Sequence, residues 1–153
     1  MPKPLYILCS ESGSEDRTTG LVSFFNVLDQ LELREPAKRP DGGPPVAGTL
    51  DFQVVALWAR TSEDAPEQQF QFALSLSLPQ HDKALDLGSG IFMFEKPRFR
   101  AMAFVRYLDI RAPGVMRAEC RIKRLSDADE SWLAQSYEVE ITQVKVDPSS
   151  SRA

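Results

Sequence analysis

The chain of 153 residues predicts an all-β fold, an antiparallel β-sandwich of about eight strands with few or no helices. Three observations carry that expectation. Residues 69–78, QFQFALSLSL, alternate almost without a break: Phe70, Phe72, Leu74, Leu76 and Leu78 share one parity, with Gln and Ser dominating the other. Such a period of two places one apolar row on a single face of an extended strand. Similar runs recur along the chain between clusters of Gly, Pro, Asp and Ser, and only residues 21–33 and, less well, 98–110 also admit a helical period.

Taken in order, Leu5–Ser10 (LYILCS) is a short apolar strand, and 11–20 (ESGSEDRTTG) reads as a loop or hairpin connection. Residues 21–33, LVSFFNVLDQLEL, fit two patterns. Leu21, Phe24, Phe25, Leu28 and Leu31 fall at helical spacing, whereas Phe25, Val27, Leu31 and Leu33 line one face of a strand interrupted at Asp29. Residues 35–49 hold four of the eleven prolines and three glycines, so they form a loop within the domain. Leu50–Arg60 is apolar on both parities, as expected of a central strand or one lying against a partner.

Pro79 ends the alternating ribbon, Gly88-Ser89-Gly90 reads as a turn, and Ile91–Phe94 as a short strand. Arg98–Ile110 follows as a strand with Phe99, Ala101, Ala103, Val105 and Tyr107 on one face. Ala112-Pro113-Gly114 makes a tight turn. Val115–Arg124 turns Met116, Ala118, Cys120 and Ile122 inward and Arg117, Glu119, Arg121 and Lys123 outward. Trp132–Val146 is the last strand, with Leu133, Tyr137, Val139 and Ile141 inward. Residues 1–147 are thus expected to form one domain, with 148–153 a flexible tail.

The stretch LYILCSESGSEDRTTGLVSFFNVLDQLEL, with its Thr-Gly turn and Ser-Phe-Phe-Asn-Val-Leu strand, resembles the start of a bacterial family of small uncharacterised proteins. The later run into Ile110-Arg111-Ala112-Pro113-Gly114, followed by an alternating strand, is similar as well. The resemblance covers about half of the chain. It implies a compact β-sandwich of unknown function with no catalytic residues to carry over, and it tips residues 21–33 toward strand.

Composition narrows the function classes. A formal net charge of −4 gives no whole-chain reason to bind nucleic acid. The opening apolar run, Leu5–Cys9, is too short for a signal peptide, and no stretch approaches the roughly 18 apolar residues of a membrane span. Two cysteines, Cys9 and Cys120, suit a reduced cytoplasmic protein, where they act as buried small hydrophobes. Their positions around Trp58 are too widely spaced for an immunoglobulin arrangement.

Catalytic chemistry finds little to stand on. His81 is the single histidine and sits in a polar loop, without a nucleophile and acid arranged around it. One His and two scattered Cys cannot furnish a common zinc site. The acidic stretches Glu11–Asp16 and Asp127–Glu130 could hold calcium only if they met at one end of the fold. The Gly-rich turns lack the lysine and helix of a phosphate cradle. No cofactor, metal or catalytic residue is expected.

Charge is uneven. Residues 96–124 carry nine basic residues against Asp109 and Glu119, a local +7, so the remainder carries −11. Arg98, Arg100, Arg106, Arg117, Arg121 and Lys123 make a candidate basic surface. Arg117 and Arg121 could equally be compensated by Glu138 and Glu140 on the next strand, and poor aromatic interleaving argues against nucleic acid. The expected function is therefore non-enzymatic. It is a cytoplasmic sandwich acting by protein contacts, most simply as a homodimer and without a membrane. The alternative is a module binding a small ligand such as a carbohydrate, with Trp58, Trp132 or Tyr137 as the stacking surface.

Overall fold

The computed structural model describes residues 1–19, 21–34, 49–128 and 130–144. The Pro/Gly-rich connection at 35–48, and the tail at 148–153, lie outside the described residues. Among the described residues there are nine strands and no helix. They are β1 Lys3–Glu15, β2 Val22–Val27, β3 Gln30–Arg34, β4 Thr49–Ala59, β5 Gln69–Ser77, β6 Leu85–Met93, β7 Arg98–Asp109, β8 Gly114–Arg124 and β9 Leu133–Val144.

A four-stranded sheet has the order β2-β1-β4-β7, and a five-stranded sheet the order β3-β9-β8-β5-β6. The chain passes back and forth between them: only β1–β2, β5–β6 and β8–β9 follow one another within a sheet. The two sheets pack over a shared core, with Ile7, Cys9, Val54 and Trp58 on one side and Leu74, Leu76, Met116, Ile122 and Val139 on the other. The all-β expectation holds, and the sheets are mostly antiparallel. One is mixed, because β3 runs parallel to β9 from Gln30 opposite Glu140 to Arg34 opposite Val144.

The alternating ribbon becomes β5, with Phe70, Leu74, Leu76 and Leu78 buried and Phe72 packed against the core. In β8, Met116, Ala118, Cys120 and Ile122 are buried as expected. Between β6 and β7 the rings of Phe92 and Phe99 stack 3.5 Å apart at 9°, joining an edge of one sheet to an edge of the other.

Several expectations need correction. Of residues 11–20, expected as a loop or hairpin connection, 11–15 are strand: β1 leaves β4 at Ser10 and continues to Glu15 paired with β2. The hairpin closes through Asp16, whose carboxylate accepts the N–H groups of Thr18 and Thr19. Residues 21–33 are neither a helix nor one strand but two strands in different sheets. Leu28 and Asp29 make the crossing. The Leu28 N–H donates to the Cys9 carbonyl, its side chain enters the core, and the Glu140 N–H donates to the Asp29 carbonyl. The helical spacing was therefore a coincidence, and Leu21 and Phe25 are exposed. Gly88-Ser89-Gly90 is not a turn but lies inside β6, where the register against β5 shifts between Leu74 and Ser75. Gly88, at a φ of 146°, supplies the backbone that this irregularity needs.

Candidate interaction surface

Of the two sheets, the four-stranded one carries the unusual outer face. In β4 the outward positions opposite Ser10, Leu8 and Tyr6 are Gln53, Val55 and Leu57, and all three are buried. The β1–β2 hairpin covers them. Phe24 meets the Tyr6 ring edge-on at 5.8 Å, and the Gln53 amide donates to the Ser10 hydroxyl at 3.0 Å. Gly13 lies against Gln53 so closely that a Cβ would stand 2.5 Å from its Nε2. This is why β4 reads as apolar on both parities.

Beneath the hairpin remains a cavity of about 240 Å³, with Val22, Phe24, Val55, Met102 and Phe104 among its lining residues. At its polar end the Arg100 Nη1 lies 3.4 Å from the Glu15 carboxylate. The Arg100 Nε is buried and has no hydrogen-bond partner among the described residues.

The second feature is β7 itself. Among the described residues it pairs only with β4, and no described strand lies on the other side of its backbone ladder. Its outward side chains Met102 and Phe104 are 50% and 67% exposed. The open run ends at a bulge. Three residues of β4, Leu50 to Phe52, oppose four of β7, Val105 to Leu108. There Tyr107 takes a left-handed φ of 56°, and its N–H donates to the Asp51 carboxylate at 2.7 Å. Bulges of this kind end pairing along an edge. Ile91 and Met93 of β6, both exposed, share a cleft of about 490 Å³ with Arg98 and Arg100.

The six basic candidates divide between the sheets. Arg98, Arg100 and Arg106 are on β7, while Arg117, Arg121 and Lys123 are on β8. Arg117 stands directly opposite Glu138 and pairs with it, as the alternation anticipates. Both are half-exposed, so the pair contributes only about 0.2–1 kcal/mol. Arg121 faces Ala134, not Glu140; it pairs with Glu119 and lies 5.1 Å from the centre of the Trp132 ring. Lys123, expected outward, is only 5% exposed, its ammonium lying 5.2 Å over the ring of Trp132, the residue before β9.

Of the three aromatic candidates for a sugar platform, Trp58 is fully buried in the core. Tyr137 packs against the core, and Trp132 is half-buried beneath Arg121 and Lys123. His81 is exposed in its loop. Burial pushes the Cys9 thiol up to about 12. It pushes Cys120 to about 11, where the Trp58 bond opposes the rise and Glu119 adds to it. Both are free, buried thiols suited to packing and not to nucleophilic attack. Among the described residues no three His, Cys, Asp or Glu side chains are grouped to hold a metal, Asp129 of the acidic loop lying outside them. Nor is any helix there long and apolar enough to cross a membrane.

Sequence alternation points to the inward faces and not to the outer one, since residues 11–15 of the hairpin that roofs β4 are polar without apolar alternation. The one available signal was the doubly apolar strand at 50–60. Comparison with protein-family models and with curated proteins found no match.

Proposed function

We propose that the protein is a cytoplasmic β-sandwich that acts without catalysis, through protein contacts along the open edge of β7, and that its partner is a second copy of itself. The observation that carries this reading is the conjunction of a strand edge unpaired among the described residues with Met102 and Phe104 exposed along it. Open edges invite strand addition, and natural sheets usually blunt them with charge or cover them. Here arginines flank an apolar centre: Arg98 and Arg100 before it, Arg106 after it.

That charge pattern selects the geometry of association. Two β7 strands paired antiparallel about Met102 would set Arg98 against Arg106, and a register centred on Ala103 would set Arg100 against Arg106. Like charges directly opposite are destabilising. A head-to-tail contact avoids this, with the basic edge of one copy on the acidic surface of the next. The +7 of residues 96–124 against −11 elsewhere supports it. Such a contact is heterologous and closes into a ring or extends as a filament.

Sedimentation velocity over a concentration series tests the reading. Association at about 0.05 M salt should weaken at about 0.5 M, and Phe104→Glu or Arg106→Glu should return a monomer. A wild-type chain that stays monomeric throughout the series would overturn it.

A further inference from the structure

We infer that the cavity beneath the β1–β2 hairpin binds an aliphatic monocarboxylate, its tail between hairpin and sheet and its carboxylate on Arg100 in place of Glu15. The cavity shares Arg100, Met102 and Phe104 with the outward face of β7, but its occupation does not depend on self-association.

The apolar half of the site is built from both sides. Gly13, Val22 and Phe24 of the hairpin form the roof, and Val55, Met102 and Phe104 form the floor. An outward sheet face is ordinarily polar and wet. In this chain it is apolar and roofed, and the absent side chain at Gly13 lets the roof approach Gln53. About 240 Å³ is still left unfilled. Among the polar lining residues, the Gln53 amide already donates to Ser10 and the Glu11 carboxylate accepts from Asn26, which leaves Ser12 and Ser14 on the hairpin beside the Arg100–Glu15 pair.

The polar half lies where this cavity adjoins a cleft of about 620 Å³, the two sharing Glu15, Val22 and Arg100. Lys96, Arg98 and Arg100 line that cleft against one carboxylate, Glu15. An arginine fork is shaped for a carboxylate, and a well-made pair of this kind closes to about 2.7–2.9 Å. Glu15 stands off at 3.4 Å, and its side chain is more than half exposed. It sits at the last paired position of the hairpin, opposite Val22. The Arg100 Nε, buried and without a hydrogen-bond partner among the described residues, is a donor that a ligand can satisfy. A ligand carboxylate would satisfy it, release Glu15 to water, and meet the excess positive charge of Lys96 and Arg98. Because Glu15 then loses its hold on β7, occupancy also loosens the tip of the hairpin.

Calorimetric titration of the full chain with octanoate tests the site, alongside octanol, which has the tail without the charge. Saturable octanoate binding is expected, with octanol and the Arg100→Met variant each weaker by about tenfold or more. In the unaltered protein, methyl resonances of Val22, Val55 and Met102 should shift with octanoate, a readout that needs no variant to fold. Arg106→Glu, outside the cavity, should abolish association yet leave octanoate binding unchanged. Equal affinity for octanoate and octanol, shifts confined to other methyls, or no saturable binding at millimolar ligand would overturn the inference.

Discussion

The indole N–H of Trp58 in β4 donates to the Sγ of Cys120 in β8 at 3.4 Å, a bond that spans the two sheets between side chains wholly removed from solvent. Buried indoles need a partner for this donor, and here a thiol from the opposite layer supplies it. Trp132, half-buried under two cations, has a different environment. In Trp132→Phe the emission should come from Trp58 alone, strongly blue-shifted and resistant to iodide or acrylamide. Emission near that of free tryptophan would contradict the packing.

The two thiols set an alkaline limit. Burial raises both above the ordinary value of 9.0, Cys9 to about 12 and Cys120 to about 11. Their folded values exceed the unfolded ones, so the stabilisation is complete below pH 9 and is lost as the pH climbs toward them. Each thiol should cost about 1.4 kcal/mol per pH unit in that window. Urea unfolding between pH 8 and 11 should show this slope in the wild type, and Cys9→Ala with Cys120→Ala should flatten it.

Asp64 sets the acid limit. Its carboxylate is shielded from water, which alone would raise its pKa. The Thr61 N–H at 2.9 Å and hydroxyl at 2.8 Å, with the Met1 ammonium at 3.0 Å, outweigh that and hold it below the ordinary range. A depressed folded pKa gives stability present above 3.8 and lost as the pH falls through the folded value. Asp64→Asn should cost about 2 kcal/mol at neutral pH, with the gap to wild type narrowing below pH 3.8 in urea titrations.

Gly13 sets the height of the hairpin roof. A methyl there would stand 2.5 Å from the Gln53 amide and 3.0 Å from the Ser23 carbonyl; the amide can swing away, the carbonyl cannot. Gly13→Ala should cost about 1–3 kcal/mol, as overpacked sites do. Amide exchange should quicken in β2 while β8 and β9 stay protected. Unchanged exchange across β2 would show that the close approach does not matter.

Much of the architecture could be read from residue parity, and its failures share one cause. Parity reports which side chains face the core, so β5, β7, β8 and β9 were legible from Phe70, Ala101, Met116 and Val139. It is silent on which sheet a strand joins. Leu28 and Asp29 change layers in two residues, so the apolar spacing around them mixes two environments and imitates a helix. Gly88 permits an irregularity inside a strand, which resembles a turn in sequence. Lys123 is covered by Trp132, a contact between residues nine apart that no alternation rule anticipates. The cavity was illegible for the same reason, since its roof and floor come from β1, β2, β4 and β7.

The shuttling of the backbone between layers bears on assembly of the fold itself. Strands of the two layers are interleaved along the polypeptide, so no single fragment carries one complete layer free of strands from the other. Closure of the five-stranded layer must wait for partners far apart along the polymer, such as Gln30 beside Glu140. Refolding on the millisecond-to-second scale of non-local β topologies follows, with the parallel ribbon at β3 among the last regions to lock.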